Sequence, residues 1–125
     1  MKRIFTLLAL SAFLVSFTLP GLDDVVKALK VGNATQVARY FDQVVEITMP
    51  DKRNSYSKSQ AEMILKDFFK NNPIKSFDII HKGENAGAEY CIGTLVTRNA
   101  TYRTTVFMKH KGTKQTLQEI RFENR

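Results

Sequence analysis

Beyond Pro73 almost the whole chain is β-patterned, in runs separated only by short turn segments. The runs are Ile74 to Lys82, Ala88 to Arg98, Thr101 to Lys111 and Lys114 to Glu123, with Glu84-Asn85-Ala86-Gly87, Asn99-Ala100 and Gly112-Thr113 between them. Connections this short cannot carry a crossover, so neighbouring strands must run antiparallel in a meander. A sheet made this way needs something to cover at least one face. The only segments left to do so lie upstream.

Those segments carry helical spacing. Leu22, Val25, Val26 and Leu29 recur at intervals of three and four behind Asp23 and Asp24, and Gly32 ends the run. Asn33 can cap a second, short helix with Gln36 three residues on, whose buried side is Val37, Tyr40 and Phe41. From Asp42 to Met49 a β-branched run closed by Pro50-Asp51 predicts a strand. Ser57 and Ser59 each stand three residues before Gln60 and Glu62, and Ala61, Ile64, Leu65, Phe68 and Phe69 follow at helical spacing. Asn71-Asn72-Pro73 stops that helix, because proline disfavours helical geometry in the residue before it. The expected fold is therefore α+β: three N-terminal helices packed on one face of a curved, mainly antiparallel sheet.

Ahead of this domain, Met1-Lys2-Arg3 and an apolar stretch to Leu19 end at Pro20-Gly21, the pattern of a cleaved signal peptide. The run is short for a membrane span and contains Thr6, Ser11, Ser16 and Thr18. The expectation is a signal peptide over residues 1–21 and a single domain over 22–125, exported to a periplasmic or secreted location. A membrane association is expected only if the leader stays uncleaved. Cys91 is the only cysteine, so no internal disulfide forms and a conventional core must hold the domain. The 43% hydrophobic content and nine phenylalanines suffice for one.

The order of helical hairpin, strand, amphipathic helix and long antiparallel sheet resembles the cone-shaped nuclear-transport-factor-like superfamily, which includes ketosteroid-isomerase-like proteins. The stretches Leu22-Asp23-Asp24-Val25-Val26, Ala38-Arg39-Tyr40-Phe41-Asp42 and Phe77-Asp78-Ile79-Ile80-His81-Lys82-Gly83 are similar to short exported bacterial proteins of unknown function within it. The resemblance implies the cone fold and leaves activity open, since enzymes, ligand carriers and dimerisation modules share the scaffold. It also implies that a homodimer through the open sheet face is to be expected.

Enzymes of this fold place an acid or base with a tyrosine inside the cone. Asp42, Asp78 and His81 with the four tyrosines form the pool here. His81 alternates with Phe77 and Ile79, which predicts an apolar face for it, while Asp78 shares the other face with Ile80 and Lys82. These two cannot form a dyad, and no catalytic residue is assigned. Tyr40, His81, Tyr90 and Tyr102 are the candidate lining of a ligand pocket for a small apolar or anionic molecule.

His81, His110 and Cys91 stand on three different strands without paired spacing, so no metal site is expected. No glycine-rich phosphate loop is present, and no cofactor is expected.

Charge singles out the C-terminal strands. Residues 22–125 hold 17 basic and 12 acidic side chains, and from Arg98 onward the count is seven against two. Arg103, Lys109 and Lys111 are the candidate anion-binding residues. Aromatic residues do not alternate with these cations as single-strand binding requires, which, with the leader, argues against nucleic acid as partner. The functional expectation is a non-catalytic ligand-binding or partner-binding module, the alternatives being a ketosteroid-isomerase-like enzyme and a structural dimerisation module.

Overall fold

The computed structural model describes residues 21–125. The leader expected over residues 1–21 lies, apart from Gly21, outside the described residues. Helix α1 spans Leu22–Lys30 and α2 spans Ala34–Ala38, with the Asn33 side chain accepting a hydrogen bond from the Gln36 amide. Strand β1 (Phe41–Met49) turns at Pro50-Asp51 into β2 (Lys52–Ser57), which leads directly into α3 (Lys58–Asn71). Ser57 caps α3 by accepting from the Gln60 amide while the Gln60 side chain accepts from the Ser57 amide, the reciprocal pair expected from their spacing. Strands β3 (Ile74–Asn85), β4 (Ala88–Thr97), β5 (Thr101–Lys111) and β6 (Lys114–Asn124) complete the domain.

The six strands form one sheet in the order β2-β1-β6-β5-β4-β3. Every pairing is antiparallel except β1 with β6. That parallel contact is possible because α3 and the entire meander intervene in sequence between the two strands. At the β3–β4 hairpin Ala86 and Gly87 both have positive φ, 41° and 83°, as a tight turn matched to strand twist requires.

Strand β2 is a departure from the sequence expectation. Lys52-Arg53-Asn54-Ser55-Tyr56-Ser57 has no apolar alternation, because an edge strand exposed along most of its length needs none; only Tyr56 is even half-buried.

The helices cover one face. From α1 come Val25 and Leu29, from α3 Leu65 and Phe69, and these meet Phe77, Leu95, Ile120 and Phe122 of the sheet in a single core. Phe68 lies 4.5 Å from Phe122 between ring centroids and 5.4 Å from Tyr102, so aromatic rings fill the interior between α3 and the sheet.

Three of the strand pairs slip register. Shifts occur between Phe41 and Glu46 in β1, at two points along β3, and between Phe107 and Met108 in β5 against β6. Each extra residue bends its strand and adds twist, and together they curve the sheet around the helices.

Candidate functional site

One of these bulges relocates a candidate residue. Ile79 pairs with Gly93, but His81 pairs with Ile92, so Ile80 is an unopposed extra residue. The simple alternation that put His81 on the face of Phe77 is therefore corrected: beyond the bulge the faces exchange. Lys82 turns to the helix side, opposite buried Cys91, and its ammonium reaches the Asp23 carboxylate of α1 at 2.8 Å. His81 turns to the uncovered side. There its Nε2 lies 3.1 Å from the Tyr90 hydroxyl, and the Tyr90 ring packs over the backbone of Gly83, where any β-carbon would strike it.

The four pocket candidates do not line one cavity. His81 and Tyr90 come together on the outward face. Tyr102 is buried on the helix side, with its hydroxyl donating to Asn72 Oδ1 at 3.2 Å. Tyr40 sits at the α2–β1 junction, where burial first and then the Asp24 carboxylate raise its hydroxyl pKa. Cys91 is buried, and loss of solvation pushes its thiol up to about 11, which leaves no thiolate for chemistry near neutral pH.

The outward face carries the open surface of the sheet. Tyr90 stands directly across from Phe107, and Ile92 from Thr105, while Arg103, Arg121, Glu119 and Glu123 flank them. These side chains line a shallow depression of about 560 Å³. The Arg121 Nε meets Glu119 at 3.0 Å, an ion pair that holds the arginine pKa up and pins both side chains along the strand.

The three anion candidates share this outward side but not one place. Arg103 and Lys109 are six residues apart on β5, about 20 Å along an extended strand, so a small anion cannot touch both. Lys111 is committed elsewhere: its ammonium lies 2.7 Å from Asp42 Oδ2. Gln118, the residue bulged out of β6, donates to the same oxygen at 2.6 Å, and the Gln43 amide donates to Oδ1 at 2.8 Å. Lys111 above all, then Gln118, outweigh the cost of burial and hold the Asp42 carboxyl down at about 2.

Beside this knot lies a cleft of about 610 Å³ where β1 has left β6 and the β5–β6 hairpin overhangs. Arg39, Lys58 and Lys114 line it, with Tyr40, Asp42, Gln43, Thr113 and Thr116. Sequence reasoning missed these three cations, since they stand at the ends of three separate elements.

The domain matches the family described as "Domain of unknown function (DUF4783)" over residues 22–123. The chain belongs to this family. Its fold is shared by a DUF4783 protein from Bacteroides uniformis, at 27% identity and TM-score 0.80 over 86% of this chain and 98% of that one. A second, from Bacteroides fragilis, shows 29% identity and TM-score 0.77 over 82% and 96%. An NTF2-like protein of unknown function from Cytophaga hutchinsonii, 8% identical, superposes with TM-score 0.57 over 79% and 81% and shares the fold alone. No curated protein matches the chain significantly. The DUF4783 domain here therefore has an NTF2-like fold, as the element order implied.

Proposed function

We propose that this DUF4783 protein is an exported, non-catalytic binding module that acts through the uncovered face of its sheet, and that its first partner is a second copy of itself. The observation that carries the reading is the outward row of Tyr90, Ile92 and Phe107 beside Glu119, Arg121 and Glu123. An apolar centre with a charged border is the anatomy of a protein interface, and isolated apolar groups on a soluble surface do not usually align in this way. Acidic and basic residues alternate along β6, so a two-fold arrangement can bring arginine of one copy against glutamate of the other.

A binding role rather than a catalytic one is supported by the packing of the interior. Where a cone-type enzyme would hold its substrate, the Phe68 ring packs against both Phe122 and Tyr102. Tyr90 and His81, the one acid–base pairing among the candidates, lie on the outward side, with His81 exposed and not enclosed in a cavity.

Sedimentation of the purified protein across a micromolar concentration series tests the reading. A dimer that becomes monomeric in Ile92→Arg and in Phe107→Glu, each with unchanged circular dichroism, is the expected result. A monomer throughout the series, or a dimer indifferent to both substitutions, would falsify it.

A further inference from the structure

The cleft lined by Arg39, Lys58 and Lys114 is separate from the sheet face, and the charge left unpaired in it is positive. None of the three cations is in an ion pair among the described residues. The one carboxylate in the lining, Asp42, is already matched by Lys111 and has both oxygens occupied by donors, so it subtracts little from the field of the other three. Lys58 is also the first residue of α3, a helix of 14 residues whose first turn holds no acid, so the helix dipole adds to the positive field there. Cations drawn from three segments line one concavity. A merely solvated surface would spread them apart.

The chemistry of the lining narrows what would sit there. Three positive groups suit a dianion better than a single carboxylate, and a guanidinium offers the planar fork that matches phosphate oxygens. Gln43 and Thr113 add an amide and a hydroxyl to the lining, while the Thr116 hydroxyl is already bonded to Gln118. A space of about 610 Å³ exceeds what a bare phosphate ion fills and is of the size that holds a small organic molecule.

From this we infer that the cleft binds a phosphate monoester on a small hydroxylated carrier, with Arg39, Lys58 and Lys114 supplying the charge and the Thr113 hydroxyl and Gln43 side-chain amide meeting the carrier. Binding here does not depend on pairing through the sheet. Its failure and the failure of the dimer would be read in different experiments.

Isothermal titration of the purified protein with glucose 6-phosphate, glucose and inorganic phosphate is the direct test, with vesicles containing phosphatidic acid as a parallel arm. Saturable one-to-one binding of glucose 6-phosphate and none of glucose is expected. The triple variant Arg39→Gln/Lys58→Gln/Lys114→Gln should weaken it roughly tenfold or more, because charge-assisted contacts are lost. The variant Arg103→Gln/Lys109→Gln removes two cations elsewhere and should leave it unchanged. Capture by the vesicles that the triple variant abolishes would support the same chemistry and name a lipid headgroup as its source. If neither the sugar phosphate nor the vesicles bind, or if both variants lose binding equally, the cleft is not a phosphate site. All five substitutions fall on exposed residues, so matching thermal midpoints will confirm that folding is intact.

Discussion

The side-chain carbonyl of Gln115, at the start of β6, accepts a hydrogen bond from the Leu22 amide at 3.2 Å, joining residues 93 apart in sequence. Gln115 is buried, and its amide nitrogen donates to Nε2 of His110 at 2.9 Å, which fixes the orientation of the group. The first turn of α1 thus borrows a cap from the far end of the chain, in place of a capping side chain at Gly21, which has none to offer. Gln115→Leu keeps the volume and removes the acceptor. It should cost about 1–3 kcal/mol, the penalty of leaving a buried amide unpaired. Urea denaturation will measure this, and a midpoint equal to that of the unmodified protein would show the cap to be idle.

Gly93 is a point of close approach between β4 and β3. A β-carbon there would stand 2.5 Å from the Phe77 ring and 2.7 Å from the Asp78 carbonyl oxygen, and the second of these is backbone that cannot rotate away. Gly93→Ala should therefore separate β3 from β4 and lose about 1–3 kcal/mol. Gly87, at positive φ in the hairpin turn with open space around it, makes the comparison. Gly87→Asn should be nearly neutral, since asparagine tolerates that conformation. Equal losses at the two sites would contradict this assignment.

Much of this architecture could be read in the sequence because its signals are local. Ser57 with Gln60, the Asn33 cap, the stop before Pro73 and the three hairpin turns each act within a few residues, and all stand where expected. What escaped was set by distant contacts. Nothing in Phe77-Asp78-Ile79-Ile80-His81 marks Ile80 as an extra residue; the bulge becomes visible only against Gly93 and Ile92 on β4. Similarly, Arg39, Lys58 and Lys114 resemble any exposed cations until the splaying of β1 from β6 places them around one cleft. The charge excess after Arg98 was a correct count, but composition carries no distances, and Lys111 proves to be spent on Asp42.

Phe122 is fully buried in the aromatic cluster, 6.3 Å from Phe69 and 4.5 Å from Phe68 between ring centroids. Phe122→Ala would remove the ring that β6 packs against Phe68 and Phe69 of α3. A loss of about 3–5 kcal/mol is expected, at the upper end if the helices cannot collapse onto the vacated space. Phe122→Leu should retain most of that stability. A guanidinium titration that finds the two variants alike would show that the interior is less tightly filled than its geometry implies.

Asp42 ties β1 to the β5–β6 hairpin, and its titration should be visible in the acid stability of the domain. Its carboxyl, 15% exposed, is held down to about 2 in the folded protein, chiefly by Lys111 and Gln118, against about 3.9 when unfolded. The folded state thus prefers the ionised form. This contribution is complete above about pH 4 and is lost as the pH falls through the folded value. Because the Lys111 side chain is half exposed, solvent screening reduces the contribution to about 1 kcal/mol. Asp42→Asn should accordingly lower stability by that order near pH 7, and the gap between variant and unmodified protein should narrow steadily from about pH 4 toward pH 2. Lys111→Gln should produce a smaller deficit with the same pH dependence, since Gln118 and the Gln43 amide still favour the anion. A deficit in Asp42→Asn that stayed constant down to pH 2 would mean that the side chain matters for its shape, and that its charge contributes nothing.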